Sequence, residues 1–359
     1  MQTFAHGTIN CYNKLFNNIL TSFIVNLNIE ESKMIIKAID EYLALLNQAV
    51  AREIQVSAQY MLQHTKIEKL KRKVIKENYL LETTTYDEFG QILKDLAIEE
   101  MKHLAQINQR IYLLGGEATT KPDQVIIGNS MREFAELDLK AEEEALELYR
   151  QLIEAAKNIG DRETWVLFTK IYSDEEEHLL KFQDYSEMEN EPDLGETPDS
   201  EWRSIFGQEY IALLNKALAS EISAVVQYTT QHEKAEGLER MRRKKNALEV
   251  ATGKNKASVV SGVLKETFLQ EMEHMEKISE RIYEIDRESI ATVNPLPEIG
   301  NSVDDFIKLD REAENYAIVL YRKVIAEATR LGDIKTKKLF EDIIQDEESH
   351  YWAFDDFLP

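Results

Sequence analysis

Cysteine occurs once in the 359 residues, at Cys11, so the chain can build neither an internal disulfide framework nor a Cys-x-x-Cys metal knuckle. That usage fits a reducing cytoplasm. Thirteen glycines and six prolines are few for a many-turned β fold and suit long helices. No apolar run reaches the roughly 18 to 20 residues of a membrane-spanning helix. Basic residues are outnumbered, 43 against 66 acidic, for a net charge of -23. This balance argues against a whole-surface attraction to nucleic acid or anionic membrane. It suits either a solvated acidic surface or the gathering of cations. Acids and arginine are also missing from the first 29 residues, where Leu15 to Ile29 is apolar and rich in Asn. Neither a transit peptide nor a signal-cleavage pattern matches; residues 1–33 read as a disordered or misassigned start, with Met34 as the real beginning.

What is present is a repeat. Ser130-Met-Arg-Glu-Phe-Ala-Glu-Leu-Asp138 matches Ser302-Val-Asp-Asp-Phe-Ile-Lys-Leu-Asp310, 172 positions on. The match continues through Ala141-Glu142 and Ala313-Glu314, Leu148-Tyr149-Arg150 and Leu320-Tyr321-Arg322, and Gly160-Asp161 and Gly332-Asp333. Upstream, Gln59-Tyr60 and Gln227-Tyr228 are 168 positions apart, so small insertions separate the matched blocks. The stretch 186–201, with Pro192, Gly195, Pro198 and many acids, reads as a solvated linker. Two domains are expected, at 34–185 and 202–359.

The fold class expected is all-α: two tandem four-helix bundles. The helices fall near 35–65, 88–114, 130–158 and 162–185, and again near 203–236, 257–286, 302–330 and 334–356. Apolar residues such as Leu43, Leu46, Val50 and Ile54 recur at helical spacing. Ser130 can cap the third helix, and Gly160-Asp161 makes helices three and four antiparallel neighbours. The segment from Gly115 to Asn129 is long enough to cross the length of a bundle.

Carboxylates interrupt these apolar faces. Glu53 shares a face with Leu46, Val50, Ser57 and Tyr60; Glu221 shares one with Leu214, Leu218, Val225 and Tyr228. Glu142 and Glu314 stand among Asp138, Ala145 and Tyr149, and among Asp310, Ala317 and Tyr321. A buried carboxylate without a partner costs several kcal/mol or shifts its pKa until it is neutral, and a bound cation removes that penalty. The remaining helices carry Glu100-Met-Lys-His103, Glu175-Glu-Glu-His178, Glu271-Met-Glu-His274 and Glu347-Glu-Ser-His350. A spacing of three puts Glu and His on one helical face, within reach of one ion. Four of the seven histidines have Glu three residues before them, although acids fill fewer than one position in five. Each bundle therefore offers four Glu and two His, a set for two divalent ions such as Fe, Mn or Zn. Glu100 or Glu175, and Glu271 or Glu347, are the candidates to bridge them. Glu99, Asp174, Gln270 and Asp346 each precede a motif glutamate and can hold an imidazole across the bundle.

The order Glu, Glu-x-x-His, Glu, Glu-x-x-His resembles the ferritin-like superfamily, most closely its bacterioferritin-like and rubrerythrin-like domains, over about 35–185 and 203–356. The resemblance implies a long crossover between helices two and three of each bundle. It also implies two di-iron centres oxidising Fe(II) with oxygen or peroxide, for iron storage or protection from oxidative stress. The implied metal ligands are Glu53, Glu100, His103, Glu142, Glu175 and His178, with Glu221, Glu271, His274, Glu314, Glu347 and His350. Tyr60 and Tyr228 match a tyrosine that can supply an electron, or serve as core residues. Met101 and Met272 match a methionine that grips haem between two subunits, or pack as apolar residues. Pairing of the two domains and homo-oligomers are implied as well. Two other readings stay open: a di-iron or di-manganese peroxidase or oxidase, and a metal buffer without turnover. The basic segments from Lys66 to Lys76 and from Lys234 to Lys245, including Arg240, Arg242 and Arg243, could meet nucleic acid; with the chain's overall charge they are expected to be solvated helix extensions pairing with neighbouring acids.

Overall fold

Burial along the first helix follows the apolar period: Leu46, Val50, Ile54 and Tyr60 are all buried, and so is Glu53 in their midst. The structure, a computed structural model, describes residues 29–76, 83–187, 206–245, 256–285 and 288–358. These form eight helices and no strand. The first four are α1 (Ile29–Lys76), α2 (Thr83–Leu113), α3 (Met131–Ile159) and α4 (Arg162–Ser186). The second four are α5 (Gln208–Lys245), α6 (Lys256–Glu284), α7 (Val303–Leu331) and α8 (Ile334–Asp355). Within each set the first two helices pair, the last two pair, and the pairs close into a bundle. The reading of residues 1–28 and of all but the first two residues of the 186–201 linker lies outside the described residues.

The helix ends follow local chemistry. Ser130 and Ser302 accept from the backbone N–H of Glu133 and Asp305 and so start α3 and α7. Gly160 and Gly332, at φ of 78° and 73°, end those helices in the left-handed region. Asp161 and Asp333 then cap α4 and α8, which sets the antiparallel hairpin.

The crossover between α2 and α3 runs beside α1 and is tied to it step by step. Asn47 bonds Glu117 and Thr119, Asp123 N–H donates to the Ala51 carbonyl, and Gln59 accepts from Ile126 N–H. Gln63 and Lys66 donate to the carbonyls of Ile127 and Gly128. From Asn47 to Lys66 these ties follow α1 for about 28 Å. An unpaired buried backbone would be costly there, and side chains of α1 satisfy it.

Two expectations need correction. The first helix does not end near residue 65; it continues through the basic segment to Lys76. Nor is that segment solvated throughout. Lys66 and Lys234 are buried, and each bonds the crossover glycine of its own bundle, Gly128 or Gly300. Each also pairs with an acid on the other bundle's crossover, Lys66 with Glu288 at 2.6 Å and Lys234 with Glu117 at 2.7 Å. A charge taken out of water needs such partners. The two bundles thus face each other symmetrically, α1 against α6 and α2 against α5.

Candidate metal centres

Four helices converge on each centre. Glu53 comes from α1, Glu100 and His103 from α2, Glu142 from α3, and Glu175 and His178 from α4; all six side chains are buried. Their donor atoms form two overlapping groups, Glu53, Glu100, His103 and Glu175, then Glu100, Glu142, Glu175 and His178, each within 4.8 Å. Glu100 and Glu175 belong to both groups. His103 Nδ1 lies 3.0 Å from Glu100 and 3.2 Å from Glu175; His178 Nδ1 lies 2.8 and 2.9 Å from the same two. The two imidazoles are 6.0 Å apart and nearly parallel.

The second bundle repeats this with Glu221, Glu271, His274 and Glu347, then Glu271, Glu314, Glu347 and His350. His274 Nδ1 is 3.1 Å from Glu271 and 2.9 Å from Glu347, and His350 Nδ1 is 3.0 Å from Glu271. All twelve ligands expected from the sequence are therefore gathered into two clusters, six in each.

The far ring nitrogens face carboxylates across the bundle: His103 Nε2 is 3.3 Å from Asp174, His178 Nε2 3.3 Å from Glu99, and His274 Nε2 3.2 Å from Asp346. The fourth, His350 Nε2, meets the neutral Gln270 at 2.9 Å. These contacts fix which way each ring turns.

Tyrosines complete the arrangement. Tyr60 on α1 donates to Glu142 on α3 at 2.5 Å, and Tyr149 on α3 donates back to Glu53 on α1. Tyr228 donates to Glu314 at 2.5 Å and Tyr321 to Glu221. Sequence reasoning picked out Tyr60 and Tyr228 and left Tyr149 and Tyr321 as face residues. The signal was present, because each tyrosine follows a carboxylate by seven residues, two helical turns on the same face.

Electrostatics within the clusters are strained. Burial, then repulsion from Glu100 and Glu175, raises the Glu53 and Glu142 carboxyls well above the usual range. Burial works against ionised Glu100, but bonds from His103 and His178 hold it below that range. Burial also opposes a charged imidazole, yet bonds to Glu100 and Glu175 push His103 up to about 12 and His178 to about 11. In the second cluster His274 rises to about 12 and His350 to about 9 against the same burial, through bonds to Glu271 and Glu347. Several inward atoms lack a well-directed hydrogen bond and are approached only by other members of their own cluster: Glu53 Oε2, Glu100 Oε1, Glu175 Oε2 and His178 Nδ1, with Glu271 Oε1, Glu347 Oε1 and His350 Nδ1. Buried donors and acceptors of this kind are rarely left unpaired. Oxygen and imidazole donors that converge on one another, with no partner from outside the cluster for these inward atoms, fit a pair of divalent cations.

Met101 and Met272 stand elsewhere, at the contact between the bundles. Both line one apolar cavity of about 20 Å³, together with Ile54, Leu104, Ile222 and Val225. Among the described residues no helix is long and apolar enough to cross a membrane.

Comparison with known proteins gives consistent findings. The family model described as Ferritin-like domain matches residues 43–189 and 255–359. The second match begins after α5, although α5 supplies Glu221 just as α1 supplies Glu53. A bacterioferritin of Desulfovibrio desulfuricans is 34% identical over 155 residues, which is 43% of this chain and 77% of the relative. One of Rhodobacter capsulatus is 31% identical over 143 residues, 39% and 76% of the two chains. Among solved structures, the D. desulfuricans bacterioferritin, described with its di-iron site in different catalytic states, is 30% identical over 42% of this chain and 80% of its own. Its TM-score is 0.35.

Proposed function

We propose that this chain, which belongs to the ferritin-like domain family, binds Fe(II) at two dinuclear centres and oxidises it with oxygen or peroxide. The observation that carries the proposal is the pair of buried clusters of four Glu and two His, with Glu100 and Glu175, or Glu271 and Glu347, common to both halves of each. Iron is the substrate of these centres. Its handling serves storage in a larger homo-oligomer, with bacterioferritin relatives as the guide. A cytoplasmic setting goes with the proposal.

Each residue then has a task. Glu53 and His103 would hold one ion, Glu142 and His178 the other, and Glu100 and Glu175 would lie between them; Glu221, Glu271, His274, Glu314, Glu347 and His350 would do the same in the second bundle. Two Fe(II) side by side supply two electrons to one molecule of oxidant. The protons on His103, His178, Glu53 and Glu142 must leave as cations enter, because each ligand binds in its deprotonated form. Tyr149 and Tyr321 hold Glu53 and Glu221 in place. Tyr60 and Tyr228, bonded to Glu142 and Glu314, are positioned to give a further electron, with the phenolic proton passing to the carboxylate.

Anaerobic Fe(II) titration of the metal-free protein tests this, followed by oxygen or peroxide and the ferric absorbance. About four Fe per chain are expected, two in each bundle. Ferric product accumulating beyond that supports storage. Continued peroxide consumption without mineral supports the peroxidase reading, and reversible binding of Fe, Mn or Zn without oxidation supports a metal buffer. Unchanged Fe(II) binding in the Glu100→Ala, Glu271→Ala double variant would sink the assignment.

Haem is a second reading, favoured by one observation: Met101 and Met272 reach the same cavity from opposite bundles. Thioether sulfur suits axial ligation. The space does not suit a macrocycle, since small-molecule sites are about 300 Å³ or more and this one is about 20 Å³. The bundles would have to part, so no step is assigned to haem. A Soret band on adding haemin, lost in Met101→Ala, would revive it.

A further inference from the structure

The two clusters share their ligands but not their entrances. In the second bundle a cavity of about 270 Å³ has walls running from exposed residues to the buried carboxylates Glu221, Glu271, Glu314 and Glu347. Ser220, Ala313 and Tyr316 line it, and the exposed Glu298 and Glu312 stand at its outer part. Solvent and metal ligands are thus connected along one acidic passage.

In the first bundle, the residue matching Ser220 is Arg52, immediately before Glu53 as Ser220 is before Glu221. Arg52 is 7% exposed. Its guanidinium donates to Glu144 at 3.0 Å and to the carbonyl of Ala141. Those two partners match Tyr316 and Ala313, both of which line the open cavity of the second bundle. The Arg52 side chain therefore lies across the corresponding passage. The net charge changes in the same sense, from acidic to balanced: Lys140 stands for Glu312 and Ile126 for Glu298, while Glu144 and Asp123 stand for Tyr316 and Pro295. A cation nearing the second centre meets two carboxylates. One nearing the first meets Lys140 and the buried Arg52 guanidinium, both paired with Glu144, and Asp123 in the place of Pro295.

We propose that Arg52 gates the first centre, so that a divalent cation enters the second centre directly and the first only when Arg52 leaves Ala141 and Glu144. The proposal rests on reading both clusters as metal centres. Its consequence is ordered loading, with the second centre filling first. An acidic cleft speeds cation entry over a passage of balanced charge by about 10-fold or more.

Stopped-flow mixing of the full-length, metal-free protein with Co(II), followed by its visible absorbance, tests the gate without any turnover. Two phases of equal amplitude are expected, about 10-fold or more apart in rate. Glu221→Ala should remove the fast phase and Glu53→Ala the slow one. Arg52→Ser should bring the slow phase up to the fast rate, and Ser220→Arg should slow the fast phase, with helix content by circular dichroism unchanged in both. A single rate in the unaltered protein, or a slow phase indifferent to Arg52→Ser, would overturn the gate while leaving the centres standing. No Co(II) uptake at all would bring down the metal-centre reading itself, and the gate with it.

Discussion

Most inner contacts of the two centres agree to within a few tenths of an ångström, with His178 to Glu175 at 2.9 Å against His350 to Glu347 at 3.6 Å the exception, whereas their approaches from solvent differ in shape and in charge. His103 Nδ1 lies 3.0 Å from Glu100 and His274 Nδ1 lies 3.1 Å from Glu271; at the entrances, Arg52 and Lys140 stand where the other copy has Ser220 and Glu312. The physical reason lies in burial. Removing one of several buried, mutually compensating charges leaves the rest uncompensated. A residue on an approach can be exchanged for one of another size or charge as long as it finds solvent or a partner, as Arg52 does in Glu144. Duplicated sites are thus free to diverge in access while their chemistry stays fixed.

The sharpest way to break the comparison is to remove one centre. Glu100→Ala should abolish uptake at the first centre and halve the metal content of the loaded chain, measured by elemental analysis. Glu271→Ala should do the same through the second. If either variant emptied both centres, the bundles would not be independent sites.

A large effect is also expected in the pH dependence of stability. Burial raises the Asp138 carboxyl to about 8, against bonds from Gln59 and Gln63, and raises Asp310 in the same way against Gln227 and Gln231. The folded chain therefore keeps a proton that the unfolded chain has lost above about pH 4. Stability from this source is complete at low pH and declines as pH rises toward 8. Relative to Asp138→Asn, the unaltered protein should lose about 2–3 kcal/mol between pH 5 and pH 7. Denaturant melts at both pH values check this, and Asp310→Asn should behave alike if the copies are equivalent here.

The single exchange beside the imidazoles gives a smaller effect. Glu99→Gln should weaken metal binding at the first centre about tenfold, and Gln270→Glu should strengthen it at the second by a similar factor. Calorimetric titration with Co(II) would show the affinities crossing. Least of all, Lys66→Ala and Lys234→Ala should each lower stability by about 1–2 kcal/mol. Equal losses in thermal melts would show that the contact between bundles is symmetric in energy as well as in form.

Much of this was legible in the sequence because helical period converts spacing into position. Glu100 and His103, three apart, had to share a face, and the repeat supplied a second copy of every ligand. The family resemblance then named the crossover. Contacts between helices were not legible in the same way. That Tyr149 reaches Glu53, or that Lys66 crosses to Glu288, depends on how faces meet, and no spacing within one helix encodes it. The basic run is legible as a helix extension that pairs with acids, but the burial of Lys66 is not, because its partner Glu288 lies on the other bundle's crossover. Arg52 illustrates the same limit, since one exposed-looking charge in the sequence lies against Ala141 and Glu144 in the fold.

The symmetric contact of α1 with α6 and α2 with α5 has a consequence for assembly. Two separate copies with this contact would meet at a rate set by their concentration and could pair in any combination. Joined in one chain, the halves see each other at an effective concentration set by the connecting segment and independent of dilution. Every assembly built from this chain therefore contains the two kinds of bundle in equal number, always as mixed neighbours. A difference written into one half cannot be diluted out by exchange with the other.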